Sequence, residues 1–167
     1  MEVLQGKTGA LRDLCVEIAS QMVRLDLNVS YEAAKKMVQK NLENGCAYQK
    51  FLAFVKAQGG DLSHLPHSRH CYSIYASQEG YIQDINALTL GELSMRLGSG
   101  RSSLEDKIDY GAGIVLKKRV GDWVSKGDVL MQLHTEQELD VCKGLADAFW
   151  INTDRGSSQK LIYEVIE

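Results

Sequence analysis

The chain has 167 residues, of which 44% are hydrophobic and 25% are charged, and its formal net charge is −3 at pH 7. This composition is typical of a folded globular protein and excludes global disorder. Lysines and arginines are spread along the chain, so no basic patch predicts a nucleic-acid partner, and no apolar run approaches the roughly 20 residues that would predict a membrane span.

The first 60 residues carry three helical patterns. Apolar residues at steps of three and one predict a first helix from about Gly9 to Leu27, which Asn28 ends. Ser30 is placed to cap a second helix, Asn44-Gly45 to end it, and a third helix ends at Gly59-Gly60. Each helix has one apolar face and must pack on something. The predicted faces are Leu11, Leu14, Cys15, Ile18, Ala19, Met22 and Val23, then Ala33, Ala34, Met37, Val38 and Leu42, then Tyr48, Phe51, Leu52 and Val55.

The chain changes character after the third helix. Residues 61–69 are predicted to form a linker, since they are mostly polar and contain the only proline of the chain. Alternating residues then predict a strand at His70–Ala76 and a returning strand at Tyr81–Ile85, which together form a β-hairpin. Leucines at helical spacing predict a short helix from about Thr89 that Gly98 closes.

The stretch Gly113–His134 predicts a compact strand, turn, short strand, turn, strand unit. Two apolar runs flank the dipeptides Gly121-Asp122 and Gly127-Asp128, which are typical of tight turns because glycine accepts a positive φ and aspartate bonds to nearby backbone. We therefore interpret these two aspartates as turn residues and not as a catalytic carboxylate pair.

The last part of the chain predicts one more helix and one more strand. Thr135, with Glu138 three residues later, has the pattern of a capping box and predicts a helix with an apolar stripe that reaches Phe149. Residues 156–158 predict a turn, and Leu161–Ile166 predict a final strand. Helices followed by antiparallel strands with short helices predict the α+β fold class.

Two other groups of residues have side chains that could carry chemistry. The cysteines are scattered without a CxxC pair or a secretory leader, which predicts reduced thiols in a cytoplasmic protein. The histidines around Pro66 have a spacing of three, but proline breaks the helix that would align them, so we predict a solvated linker and no metal site. The residues concerned are Cys15, Cys46, Cys71 and Cys142, and His64, His67 and His70.

The loop that follows the Gly98 helix is the strongest candidate for ligand contact. Gly98, Ser99, Gly100 and Arg101 are able to cradle an anion, since glycines expose backbone N–H groups and arginine forms bidentate phosphate contacts. The alternative is a helix C-cap followed by an ordinary surface loop. The residues by themselves favour the surface loop and leave the anion interpretation open.

Successive blocks of the chain resemble the pyrimidine-nucleoside phosphorylases, the family that includes thymidine phosphorylase. The blocks occur in the family's order and cover nearly the whole chain, but they resemble only its C-terminal part. They are Leu42–Gly45 with Ala47-Tyr48, Phe51, Ala57–Asp61, Leu97–Arg101, Glu105-Asp106, Ile108-Asp109, and Gly113–Leu116 through Gly127-Asp128.

The resemblance implies a domain organisation and a function. Residues 1–60 would be a helical segment of the α/β body, and residues 70–167 the hammerhead-like, barrel-sandwich hybrid domain of antiparallel strands. The complete enzyme, a pentosyltransferase of pyrimidine salvage and a homodimer, would cleave thymidine or uridine with phosphate to free base and pentose 1-phosphate. The loop Gly98–Arg101 would lie near its cleft and order on closure.

The same resemblance implies that the catalytic groups lie in the N-terminal part of the enzyme. We therefore expect no catalytic residue, cofactor or metal ligand in this chain, with phosphate as co-substrate of the complete enzyme. We also expect the chain alone to be inactive and to need that N-terminal part as its partner.

Two alternatives from other classes stay open at this stage. The pattern from Val120 to Leu130 is also similar to biotinyl and lipoyl carrier domains, which present a modified lysine within Met-Lys-Met or Asp-Lys-Ala. Lys117, Lys118 and Lys126 lack those neighbours, which makes a carrier the lesser alternative. The other alternative is a separate interaction domain that kept the fold without the chemistry.

Overall fold

The computed structural model describes residues 1–101, 103–138, 145–155 and 162–166. It divides into two compact units, one of Met1–His64 with Leu161–Glu167 and one of Leu65–Lys160. Within the described ranges, no helix has both the length and the apolar character that a membrane crossing requires.

The first unit contains the three helices that the sequence predicts. They are α1 at Ala10–Leu27, α2 at Tyr31–Glu43 and α3 at Cys46–Ala57. Asn28 ends α1 in the left-handed conformation with φ 49°, which asparagine tolerates better than most residues. The hydroxyl of Ser30 accepts a hydrogen bond from an α2 backbone N–H at 3.3 Å, which confirms the predicted cap.

On α1 the buried residues lie outside the predicted apolar face, whereas on α2 the buried residue is Ala34, which belongs to the predicted face. Val16 and Ser20 of α1 and Ala34 of α2 are the buried residues of these helices, with exposures of 7%, 0% and 0%. Small side chains at two of these positions allow close approach, and the Ser20 hydroxyl donates to Val16 O at 2.6 Å. Much of the predicted face of α1 is instead exposed. We call Leu11, Ile18 and Met22 of that predicted face, together with Leu25, which was not predicted, the α1 apolar face. The exposures of Leu11, Ile18, Met22 and Leu25 are 60%, 52%, 65% and 79%.

The second unit contains two three-stranded antiparallel sheets and a fourth helix, so the predicted α+β class is confirmed. The strand orders are β1-β5-β3 and β4-β2-β6. Their elements are β1 at His70–Tyr75, β2 at Gly80–Ile85, α4 at Ala87–Ser94, β3 at Gly113–Leu116, β4 at Trp123–Val124, β5 at Val129–Thr135 and β6 at Phe149–Asn152.

The predicted hairpin between β1 and β2 is wrong, although both strands exist. β1 pairs with β5, and β2 pairs with β4 and β6. The pairing continues just beyond the two strands, because the N–H of Ala76, which follows β1, donates to the carbonyl of Asp128, which precedes β5, at 2.8 Å. In the other sheet, Ile82 N donates to Asp122 O at 2.9 Å. Alternation identified the strands, but distant segments supply their partners.

The unit Gly113–His134 has the predicted succession of strands and turns. Its glycines Gly121 and Gly127 have φ values of 89° and 91°. Asp128 Oδ2 accepts bonds from Lys118 Nζ at 2.9 Å and from Ser125 N at 3.2 Å. The Lys118 bond is the larger cause of a lowered Asp128 pKa, so this turn gains stability above the ordinary aspartate pKa and loses it as the pH falls through the lowered value.

The prediction for the last part of the chain is mostly wrong where it can be compared. Thr135 is the last residue of β5 and residues 136–138 are not helical, so the helix does not begin where the capping box predicts it. Residues 139–144 and 156–161 lie outside the described residues, so the middle of the predicted helix and the predicted turn stay predictions. Leu145–Ala148 form a short 3₁₀ helix and Phe149 begins β6, where burial alternates with period two. Residues 162–166 form no strand.

The core of the second unit joins both sheets and α4 in one cluster. From the first sheet come Ile74, Leu130, Met131 and Leu133, from the second Ile82, Val124, Phe149 and Ile151, and from α4 and the turn after it Leu93 and Leu97. This cluster places the end of α4, and the loop that follows it, against β5.

Candidate functional site

The predicted ligand loop begins at a sharp change of backbone direction after α4. The helix continues into a wider turn at Met95–Ser99, in which Leu97 is 1% exposed. Gly98 has φ 111°, which side chains rarely allow, and a Cβ there would lie 3.3 Å from Asp109 Cβ. The positive φ and the short distance to Asp109 both favour glycine at position 98. This agrees with the prediction that Gly98 ends the helix.

The remaining three candidate residues differ in what they offer to a ligand. The Ser99 hydroxyl donates to Ser94 O at 2.7 Å and so closes the turn. Gly100 is extended, and a Cβ there would lie 2.7 Å from Met95 Cγ. Arg101 is exposed and forms no ion pair with a described residue. Of the four candidates, Arg101 alone presents a charged side chain to solvent.

Asp109 holds the two ends of the loop together. Its N–H donates to Gly98 O at 2.9 Å, and its Oδ1 accepts from Gly111 N at 2.8 Å. Its Oδ2 is buried without a hydrogen-bond partner in the described part of the chain. In the sequence, Asp109 is marked only by its place in one block of the family resemblance. The closed ends define a loop of residues 99–108, of which Ser102 lies outside the described residues.

Thr135 fixes the start of the loop to the end of β5. It is 0% exposed, and its hydroxyl donates to Leu97 O at 2.8 Å and accepts from Gln137 N at 3.1 Å. The sequence predicted Thr135 as a helix cap, and the pattern gave no sign of a contact 38 residues away. Thr135 is therefore a supporting residue of the loop that the sequence interpretation missed.

Thr135→Val should lower the free energy of unfolding by about 1–3 kcal/mol, because it leaves the carbonyl of Leu97 and the N–H of Gln137 without this partner. Urea unfolding of the purified chain measures the loss. Thr153→Val is the matched control, since Thr153 is exposed and bonds only to its neighbour Asn152 among the described residues. Equal losses for the two variants would contradict the role of Thr135.

The histidines of the linker region do not converge in the described structure. His64 Nδ1 lies 2.6 Å from Asp61 Oδ2, and the His70 ring stacks on Tyr72 at a centroid distance of 6.0 Å. Among the residues that the structure describes, no group of three or more histidine, cysteine, aspartate or glutamate side chains is placed to hold a metal ion.

Comparison with known proteins identifies the family. Residues 81–149 match the family model described as pyrimidine nucleoside phosphorylase C-terminal domain. The pyrimidine-nucleoside phosphorylase of Geobacillus stearothermophilus is 35% identical over 164 residues, which are 93% of this chain and 38% of the relative. That of Staphylococcus haemolyticus is 35% identical over 176 residues, which are 99% of this chain and 40% of the relative.

A third relative agrees with these two. The pyrimidine-nucleoside phosphorylase of Staphylococcus epidermidis is 36% identical over 164 residues, again 93% of this chain and 38% of the relative. The chain thus spans about two fifths of the length of the curated relatives it matches. The family match includes α4, the candidate loop and β3 to β5. The chain therefore belongs to the pyrimidine-nucleoside phosphorylase family and corresponds to the C-terminal part of its members.

Proposed function

We propose that this chain works as the C-terminal part of an enzyme that cleaves thymidine or uridine with phosphate, giving the free base and pentose 1-phosphate. The observation that carries the proposal is the match of 93–99% of the chain to pyrimidine-nucleoside phosphorylases at about 35% identity. The reaction uses phosphate as co-substrate and no cofactor bound by this chain. The catalytic groups come from the N-terminal part of the enzyme, which is the partner of this chain in a homodimeric enzyme of the cytoplasm.

The α1 apolar face supports the proposed partner. Four large apolar side chains on one side of a single helix are more than half exposed. Contiguous apolar surface of this kind is typical of a protein contact. The relatives contain about three fifths of their length outside the matched region, which is enough chain to cover it. We therefore assign this face to contact with the N-terminal part.

Arg101 is the residue of this chain that the proposal places at the cleft. It presents an exposed guanidinium on a loop whose ends Gly98 and Asp109 hold together. Closure of such a loop would add a bidentate donor for phosphate oxygens without moving the fold beneath it. Ser99 has no comparable role in the proposal, because its hydroxyl bonds within the turn.

Arg101→Ala tests this part of the proposal in the enzyme assembled with an N-terminal part. We expect the KM for phosphate to rise by roughly tenfold, which corresponds to about 1.4 kcal/mol and to the loss of one charge-assisted contact. Steady-state kinetics with varied phosphate measure the change. Arg155→Ala is the matched control, since Arg155 is an exposed arginine outside the loop.

The control should leave the KM for phosphate unchanged. An unchanged KM for phosphate in Arg101→Ala, with full activity, would contradict the role of Arg101 while leaving the family reaction intact. Absence of phosphorolysis in every assembled variant would instead count against the proposed function itself.

A further inference from the structure

A thiol and an imidazole lie side by side on the first sheet, away from the candidate loop. Cys71 on β1 and His134 on β5 are direct partners in the antiparallel register. Cys71 Sγ lies 3.9 Å from His134 Nε2, and Cys71 is exposed and free of any disulfide. Successive residues of a strand point to opposite faces, so His134 is on the face opposite to Thr135 and to its bond with Leu97.

The space next to this pair is open. On the other side of β5, His134 is opposite Gly113 of β3, which has no side chain to cover the ring. A Cβ built on Gly113 would meet no atom within 4 Å. The sheet therefore presents Cys71, His134 and an empty position in one row. The ring of His134 is uncovered on the Gly113 side, and the exposure of Cys71 leaves its thiol accessible to a small molecule.

The other described cysteines lack this arrangement. Cys15 lies on α1 and Cys46 begins α3, and both are exposed free thiols. Within the described part of the chain, neither thiol has a hydrogen-bonding neighbour. Arg69, which precedes β1, and Glu136, which follows β5, form an ion pair at 3.5 Å two residues along the chain from Cys71 and His134. Because this pair contains one positive and one negative group, it adds no net charge near the thiol. His134 is therefore the feature that distinguishes Cys71 from two thiols of similar exposure.

We propose that Cys71 is a site of reversible modification by small disulfides, with His134 as the base that accepts its proton. A thiolate attacks disulfides, whereas a thiol does not, so the attack needs a base within reach of the thiol to take its proton, and His134 Nε2 lies 3.9 Å from Cys71 Sγ. The Cys71 thiolate attacks one sulfur of the disulfide, a new S–S bond forms on Cys71 Sγ, and the original S–S bond breaks. The released thiolate takes up the proton from His134, so the cysteine is oxidised and one sulfur of the reagent is reduced.

Oxidised glutathione is the probe for this site. The purified chain is incubated with it at pH 7, digested with trypsin without reductant, and the mixed disulfide on each cysteine is followed by mass spectrometry. The four cysteines fall in separate tryptic peptides, residues 13–24, 41–50, 70–96 and 127–143. We expect Cys71 to react at least about fivefold faster than Cys15 and Cys46.

His134→Gln identifies the base. This variant should bring the rate at Cys71 down to the rates at Cys15 and Cys46, while those two rates stay unchanged and show that the fold is intact. His67→Gln is the matched control, because His67 is exposed in the linker, and it should leave all rates unchanged. Equal rates for the three cysteines in the unmodified chain, or an unchanged Cys71 rate in His134→Gln, would overturn the proposal.

Discussion

Met22→Glu is expected to weaken binding of this chain to the N-terminal part of the Geobacillus stearothermophilus relative by roughly 30-fold or more, since central contact residues often contribute about 2 kcal/mol or more. Met22 lies in the middle of the α1 apolar face and is 65% exposed. An interface that covers this face would bury the new carboxylate without a partner, which is costly. Isothermal titration calorimetry with the purified parts measures the affinity.

Met37→Glu is the matched control for this variant. Met37 lies on α2, is 44% exposed and is not part of the α1 apolar face, so its substitution should leave the affinity unchanged. The isolated chain offers a second measurement, because an uncovered apolar face favours self-association. Light scattering should give a mass above 18.6 kDa for the unmodified chain and a lower mass for Met22→Glu. Equal affinities for both variants would show that the partner binds elsewhere.

Leu133→Ala is expected to have the largest effect on stability, a loss of about 2–5 kcal/mol in the free energy of unfolding. Leu133 is 0% exposed on β5, the central strand of its sheet, and belongs to the cluster that joins both sheets. Truncation there removes apolar contacts and leaves a cavity that neighbouring strands close only in part. Urea unfolding, followed by far-UV circular dichroism, measures the loss.

The matched control is Leu116→Ala in the same sheet. Leu116 lies on β3 and is 44% exposed, so the same truncation removes less buried surface and should cost less than about 1 kcal/mol. A loss of similar size in both variants would contradict the location of the core.

The sequence predicted the positions of helices and strands better than it predicted which strands pair with each other. α1, α2 and α3 carry caps and apolar periods within one short segment, and their bounds followed from those signals. The pairing of β1 with β5 joins segments about 60 residues apart, and no local pattern records it. The same limit explains why the predicted helix ran on to Phe149 and why no strand was predicted at Phe149–Asn152, since a short apolar run fits either structure until its partner β2 is known.

In the candidate loop, too, the sequence showed the local features but not the contacts with distant residues. Its glycines were visible in the sequence, and Gly98 adopts the conformation that a helix end requires. The residues that position the loop, Asp109 and Thr135, act through contacts with Gly98 and Leu97 that are distant in the sequence. Periodicity shows that a helix has an apolar side but not what covers it, so the sequence did not predict that the α1 apolar face is exposed.

Phosphate-dependent release of thymine or uracil is the measurement that tests the central claim most directly. The chain is assayed alone, and then together with the N-terminal part of the Geobacillus stearothermophilus relative, which is also assayed alone. We predict base release only when both parts are present and only with phosphate. Release by this chain alone, or no release from a complex whose formation light scattering confirms, would contradict the account.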